Sequence, residues 1–198
     1  MFKTIKENVE AEIVEKKSKF IANIFYVESK EEAEKIIKEI NKKYHDARHN
    51  CYAYRITEES GILEKSSDDG EPSGTAGAPM LNILAKNNLS NILVIVTRYF
   101  GGILLGTGGL VRAYSSACTS AIEKSEVYEM DFYELYEIEL SYEELKNFKN
   151  FAQNNNIIIK SEEFLENVKL KVAIKNVEIL KEMEKNVKRI IFIKKIFA

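Results

Sequence analysis

All nine glycines and both prolines of this 198-residue chain fall between Gly61 and Gly109. Glycine inside a helix or strand costs roughly 0.5–1 kcal/mol against alanine. A chain that confines every glycine to one quarter of its length needs unusual backbone or close approach there. The remainder is left free to form regular elements. The two densest parts read SSDDGEPSGTAGAP, Ser66 to Pro79, and TRYFGGILLGTGGLVRAYSSA, Thr97 to Ala117. Function is to be sought in these segments.

Coarse properties narrow the classes. Hydrophobic residues make up 45% and charged residues 30%, a soluble globular balance. The longest apolar run falls short of the roughly 18 residues of a membrane helix. The N-terminal MFKTIKENVEAEIVEKK has no apolar signal-peptide core. A cytoplasmic protein with no membrane partner is expected. The net charge of −2 argues against bulk attraction to nucleic acid, so binding there would need a local basic patch. Cys51 and Cys118 are too few for a disulfide framework or zinc site and read as small buried hydrophobes. A His49–Cys51 nucleophilic pair is the minor reading, since residues two apart share a strand face. No cofactor or metal is expected. His45 and His49, four apart, flank a helix-to-strand connection, which spoils a shared helical face.

Periodicity places the elements. Val9 to Val27 reads as two strands joined near Lys16–Ser18. Ser29 and Glu32 have capping-box spacing ahead of a helix with Ala33, Ile36, Ile37 and Ile40 on one stripe. His49 to Thr57 is a strand with Tyr52, Tyr54 and Ile56 on one face. Glu58 to Thr75 reads as a loop of about 18 residues, long enough to be functional. Ala78 to Asn87 suits a helix with Pro79 in its first turn. Asn91 to Phe100 is a continuous apolar run, the mark of a strand buried on both faces. A second glycine loop then leads into a helix rich in Ala and Ser. From about residue 134 the order reads strand, helix, strand, strand, helix, strand, a ferredoxin-like βαββαβ pattern. Val168, Leu170, Val172 and Ile174 alternate there with Lys169 and Lys171. The fold class is α+β in two domains, residues 1–133 and 134–198.

Three chemistries fit the glycine-rich segments. Gly106, Thr107, Gly108 and Gly109 open a helix, with Thr107 a competent N-cap and Arg98 and Arg112 nearby; free amides and the helix dipole there would attract phosphate or carboxylate. The bland alternative is a capped helix end. Asp68, Asp69 and Glu71 could hold magnesium, although paired acids on loops are more often solvated or capping. Arg98 and Tyr99, ahead of Gly101 and Gly102, with Tyr114 on the following helix, would suit base stacking or a protein hot spot if exposed. The alternative is that Phe100, Ile103, Leu104 and Leu105 simply pack. These residues other than Tyr114 and the four apolar ones form the candidate ligand-binding set; no catalytic residue can be picked out.

DDGEPSGTAGAPML followed by RYFGGILLGTGGLVRAYSSA closely resembles the signature region of the YigZ/IMPACT family, with minor side-chain departures around Ile103–Leu105. The resemblance covers the whole chain. It implies an N-terminal domain with the fold of ribosomal protein S5 domain 2, as in domain IV of elongation factor G. It also implies a ferredoxin-like second domain resembling domain V of that factor. Eukaryotic members regulate translation by competing for the activator of the amino-acid-starvation kinase, through an additional domain and contacts this chain largely lacks. For bacterial members the resemblance implies no firm activity. The leading expectation is a non-enzymatic, translation-associated protein contacting RNA or the ribosome. The rivals are a nucleotide- or phosphate-binding enzyme, because the S5-like fold is shared with small-molecule kinases, and a regulatory module binding a protein of the translation machinery.

Overall fold

The computed structural model describes residues 1–58, 60–185 and 187–197. Chain contacts divide it into two compact units, Phe2–Glu129 and the residues from Met130 onward. The first unit runs β1 (Phe2–Ile5), β2 (Val9–Glu15), β3 (Ser18–Tyr26), α1 (Lys30–Lys43), β4 (His49–Glu58), β5 (Gly61–Ser67), α2 (Gly77–Lys86), β6 (Ile92–Tyr99), α3 (Gly106–Lys124) and β7 (Val127–Met130). Five strands form one antiparallel sheet in the order β2-β3-β6-β4-β5, and β1 pairs with β7 in a small second sheet.

The apolar run of β6 explains its central place. Val94 and Val96 pack on one face with Met80 and Leu84 of α2 and Leu110, Ala113, Ala117 and Ala121 of α3. Leu93 and Ile95 pack on the other with Ala33, Ile37 and Ile40 of α1. Strand geometry alternates side chains between the faces, so only an unbroken apolar run serves both helical layers. Full burial of each such aliphatic side chain contributes about 1.5–3 kcal/mol. Tyr54 and Ile56 do fall together on the α1 face.

Three local expectations change. The Glu58–Thr75 stretch is not one loop: Gly61–Ser67 folds back on β4 as edge strand β5, in the register Glu58↔Gly61 to Tyr52↔Ser67. An exposed edge strand buries little, so its sequence lacks the apolar alternation that announces a strand. Ser29 does cap α1 by accepting from the Glu32 amide, but Glu32 returns its carboxylate to the Glu28 amide rather than closing the box. Thr107 is not the N-cap of α3: the helix begins at Gly106 with Leu105 as its cap, two residues earlier than expected, and no side-chain capping bond.

The second unit runs β8 (Phe132–Leu140), α4 (Tyr142–Asn154), β9 (Ile158–Phe164), β10 (Val168–Ile174), a 3-10 turn Val177–Ile179 into the short α5 (Leu180–Met183), and β11 (Arg189–Phe197). Its antiparallel sheet has the order β11-β8-β10-β9. Val168, Leu170, Val172 and Ile174 enter a core with Phe148 and Ala152 of α4 and Met183 of α5. Ser141 and Glu144 form a complete capping box at the start of α4. Among the described residues no helix is long and apolar enough to cross a membrane.

One glycine fixes the second glycine-rich loop against the sheet. Gly101 lies so close to the β2–β3 turn that an added Cβ would collide with the backbone of Lys17 and Ser18. Its amide also donates to the Ser18 hydroxyl at 3.2 Å. Gly108, by contrast, sits inside α3, where an added Cβ would meet only the Arg112 guanidinium, at 3.8 Å. We therefore expect Gly101→Ala to cost more than about 3 kcal/mol, because backbone cannot yield as a side chain can. Gly108→Ala should add about 0.5–1 kcal/mol. Urea unfolding of both variants checks the contrast.

Candidate functional site

The acidic loop after β5 owes its shape to Asp68. Oδ1 accepts from the amides of Ala76 at 2.9 Å and Gly77 at 2.8 Å, and Oδ2 from Gly74 at 2.7 Å. The carboxylate thus does from a distance what an N-cap does locally, satisfying orphan donors at the start of α2. Burial pushes its pKa up, but the three backbone donors outweigh this and hold it below the ordinary 3.8. Gly77 is required by packing, since a Cβ there would stand 2.7 Å from the Ser67 amide nitrogen. Asp69 turns the other way and accepts from the Asn50 amide at 2.7 Å.

Glu71 serves a third purpose. Its Oε1 accepts from Arg98 Nη1 at 2.6 Å and from the Tyr114 hydroxyl at 2.9 Å. Both partners of the ion pair are buried, with side-chain exposures of 7% for Arg98 and 4% for Glu71. The guanidinium lies over the rings of Phe20 and Phe100, 5.5 and 5.6 Å from their centroids. Its Nη2 reaches the Ser18 hydroxyl at 3.5 Å. Burial, then Cys51 and Glu71, raises the Tyr114 pKa, so the phenol stays protonated and donates. The three loop carboxylates therefore have separate tasks and do not converge as a magnesium cage. Among the described residues no group of three or more His, Cys, Asp or Glu is placed to hold a metal.

These positions correct several expectations. Arg98 and Tyr114 are buried and already paired, so neither is free to meet a phosphate or a base. Tyr99 is half-buried and donates its hydroxyl to Asp46 at 2.9 Å. Cys51 is also no nucleophile: burial, the largest cause, pushes its thiol up to about 12. Conversely Phe100, Ile103 and Leu104, for which packing was the alternative, are 43%, 41% and 83% exposed.

Gly106 and Thr107 at the start of α3 line a cavity of about 510 Å³ with Arg48, His49, Glu71 and Arg98. Its apolar wall is Phe100, Leu104, Leu105 and Leu110. His49 Nδ1 stands 2.6 Å from the Asp69 carbonyl oxygen. A carbonyl only accepts, so Nδ1 carries a proton, and Nε2 stands 4.0 Å from Glu71 Oε1. Arg112 and Gly109 lie outside this cavity and line a smaller one with Lys16 and Ser116. Gly102 and Gly108 line neither. Sequence reasoning missed Arg48, Ser18 and the role of His49. One signal was available: an arginine ending an apolar strand needs a buried counter-charge.

Residues 16–122 match the family model of the Impact N-terminal domain. The chain is 39% identical over 175 residues to the IMPACT family member YvyE of Bacillus subtilis, across 88% of this chain and 80% of that protein. It is 37% identical over 160 residues to an IMPACT family member of Haemophilus influenzae, across 80% and 78% respectively. A solved crystal structure described as that of a hypothetical protein superposes with a TM-score of 0.67 at 30% identity, covering 93% of this chain and 90% of that one.

Removing one partner of a buried ion pair strands the other, so Glu71→Leu should lose about 3–5 kcal/mol of stability. The double variant Glu71→Leu/Arg98→Leu should lose much less than the sum of the single losses. Chemical unfolding of the three variants checks the cycle. Asp68 has its folded pKa lowered, so its contribution is complete above the ordinary value and fades as pH falls through the folded one. Thermal melts from about pH 6 to 2 should show a shallower acid decline for Asp68→Asn than for the parent protein.

Proposed function

The chain belongs to the IMPACT family, and from that membership we propose a translation-associated binding protein that docks on the ribosome from the cytoplasm. The observation that carries the reading is the loop between β6 and α3. Phe100, Ile103 and Leu104 hold large apolar surface in solvent, while Gly101 and Ser18 anchor the loop to the β2–β3 turn. Exposed apolar side chains on an anchored loop are the usual makings of an interface hot spot.

The chemistry of that loop favours a protein component of the translation machinery over the RNA backbone. Arg98 is offset by Glu71, and Tyr99 is engaged with Asp46. We read residues 1–133, which contain the first unit, as the S5 domain 2-like signature domain. The βαββαβ order and the β11-β8-β10-β9 sheet support reading the remainder as ferredoxin-like, the pair of folds that elongation factor G carries as domains IV and V. Fold alone does not assign function; the exposed loop supplies the site.

Sucrose-gradient sedimentation with purified ribosomes tests the proposal. The parent protein should co-sediment, and its binding should change little as salt rises, unlike phosphate-backbone binding. Leu104→Asp should reduce co-sedimentation by about tenfold or more while leaving unfolding stability within about 0.5 kcal/mol, as expected of an exposed position. A parent protein that stays at the top of the gradient, or a Leu104→Asp variant that sediments normally, would overturn it.

A further inference from the structure

The second sheet ends in an open strand. One side of β11 is hydrogen-bonded to β8, and no strand among the described residues lies on its other side. Such an edge presents main-chain donors and acceptors that a further strand can pair with. At nine residues β11 is long for an edge. Its apolar side chains are also open: Ile191, Phe192 and Ile193 are 37%, 49% and 40% exposed. Phe192 lies in register with the core residue Tyr136, the two ring centroids 5.5 Å apart. It stays half exposed where the four-residue α5 gives the sheet little helical cover.

Charge selects what can pair there. From Lys188 to Phe197 the sequence carries four cations and no acidic side chain. Arg189 and Lys194 are exposed and free of any ion pair among the described residues. Glu139, opposite Arg189 on β8, accepts from Asn167 instead. The other edge, β9, mixes Lys160 with Glu162 and Glu163, so the cation excess belongs to β11. The two faces of the strand also differ. Arg189, Ile191 and Lys194 oppose Glu139, Glu137 and Leu135, which alternate along β8 with the core residues Ile138 and Tyr136. They therefore share the face away from the core, while Ile190 and Phe192 share the inner face. We propose that β11 binds an extended segment of a partner protein as a fifth strand, one with carboxylates on one face and apolar side chains on the other. The carboxylates meet Arg189 and Lys194, and the apolar side chains cover Ile190 and Phe192. Main-chain pairing supplies affinity and the alternation supplies specificity, as in strand addition generally. A second copy of β11 is a poor occupant, because self-pairing sets four cations against four. A phosphate backbone is another, since it offers no N–H donors to the carbonyls of the edge. The inference is independent of the ribosome-docking loop, because β11 belongs to the second unit.

Fluorescence titration of the full chain with labelled peptides the length of β11 tests it. The acidic alternating peptide EVEIEVEIE, blocked at both ends, should bind saturably and more weakly as salt rises. KVKIKVKIK reverses its charge, and the prolines of EVPIEVPIE remove strand donors. Each should bind about tenfold more weakly or worse. Hydrogen exchange with the acidic peptide bound should slow at the amides of residues 189–197, which ion pairing alone would not produce. Arg189→Gln/Lys194→Gln should lose about tenfold or more in affinity. Its melting temperature should change little, since both positions are exposed. Leu104→Asp should bind the peptide as the parent protein does, which separates failure of this inference from failure of the docking proposal. Absence of saturable binding, equal binding of the proline peptide, or protection confined to other strands would overturn it. A short single-stranded RNA that binds more tightly than the acidic peptide, or a concentration-dependent dimer that protects the same amides, would do so too.

Discussion

A guanidinium buried beside a carboxylate holds the glycine-rich half of the first unit together. Arg98 is the penultimate residue of the central strand, and a charge buried there is tolerable only with a partner. Glu71 comes from a loop 27 residues earlier in the chain. The demand for it fixes that loop across the end of β6. Tyr114 of α3 binds the same carboxylate oxygen, and Ser18 of the β2–β3 turn binds both Arg98 and Gly101. Strand, acidic loop, hairpin turn and helix are thus joined through one ion pair.

This joining gives the glycines a mechanical meaning. Gly77 and Gly101 allow backbone to press against backbone where the pieces meet. With those contacts made, Ile103 and Leu104 project into solvent while Leu105 turns back to pack on the core. Apolar tip and uncapped helix end both follow from an anchor that lies beneath them. Anchoring and exposure therefore reside in different residues of one short stretch: Arg98 and Gly101 hold, while Ile103 and Leu104 stand in solvent.

Much of the architecture was legible because burial leaves periodic traces. The unbroken apolar run of β6, the Ala33–Ile40 stripe of α1 and the Val168–Ile174 alternation each identified an element and its inner face. β5 left no such trace, since an edge strand is held by main-chain bonds that sequence does not record. The site was legible in location and not in assignment. Asp68, Asp69 and Glu71 look equivalent on paper; only the fold gives one a helix, one a strand amide and one an arginine. Thr107 lost the capping role to a chain that enters α3 two residues sooner. Arg48 was overlooked because nothing local distinguishes an unpaired surface arginine from a paired one.

The sheet order carries a consequence for synthesis. β6 lies between β3 and β4, yet it is the last of the five strands to be made. At about 5–20 residues per second, the segments of β2–β3 and β4–β5 are made seconds before the strand that joins them. No arrangement of the earlier strands alone can place the Glu71 carboxylate against its cation. The sheet can therefore close only once residues 92–99 have left the exit tunnel, and the same strand brings the counter-charge of Glu71.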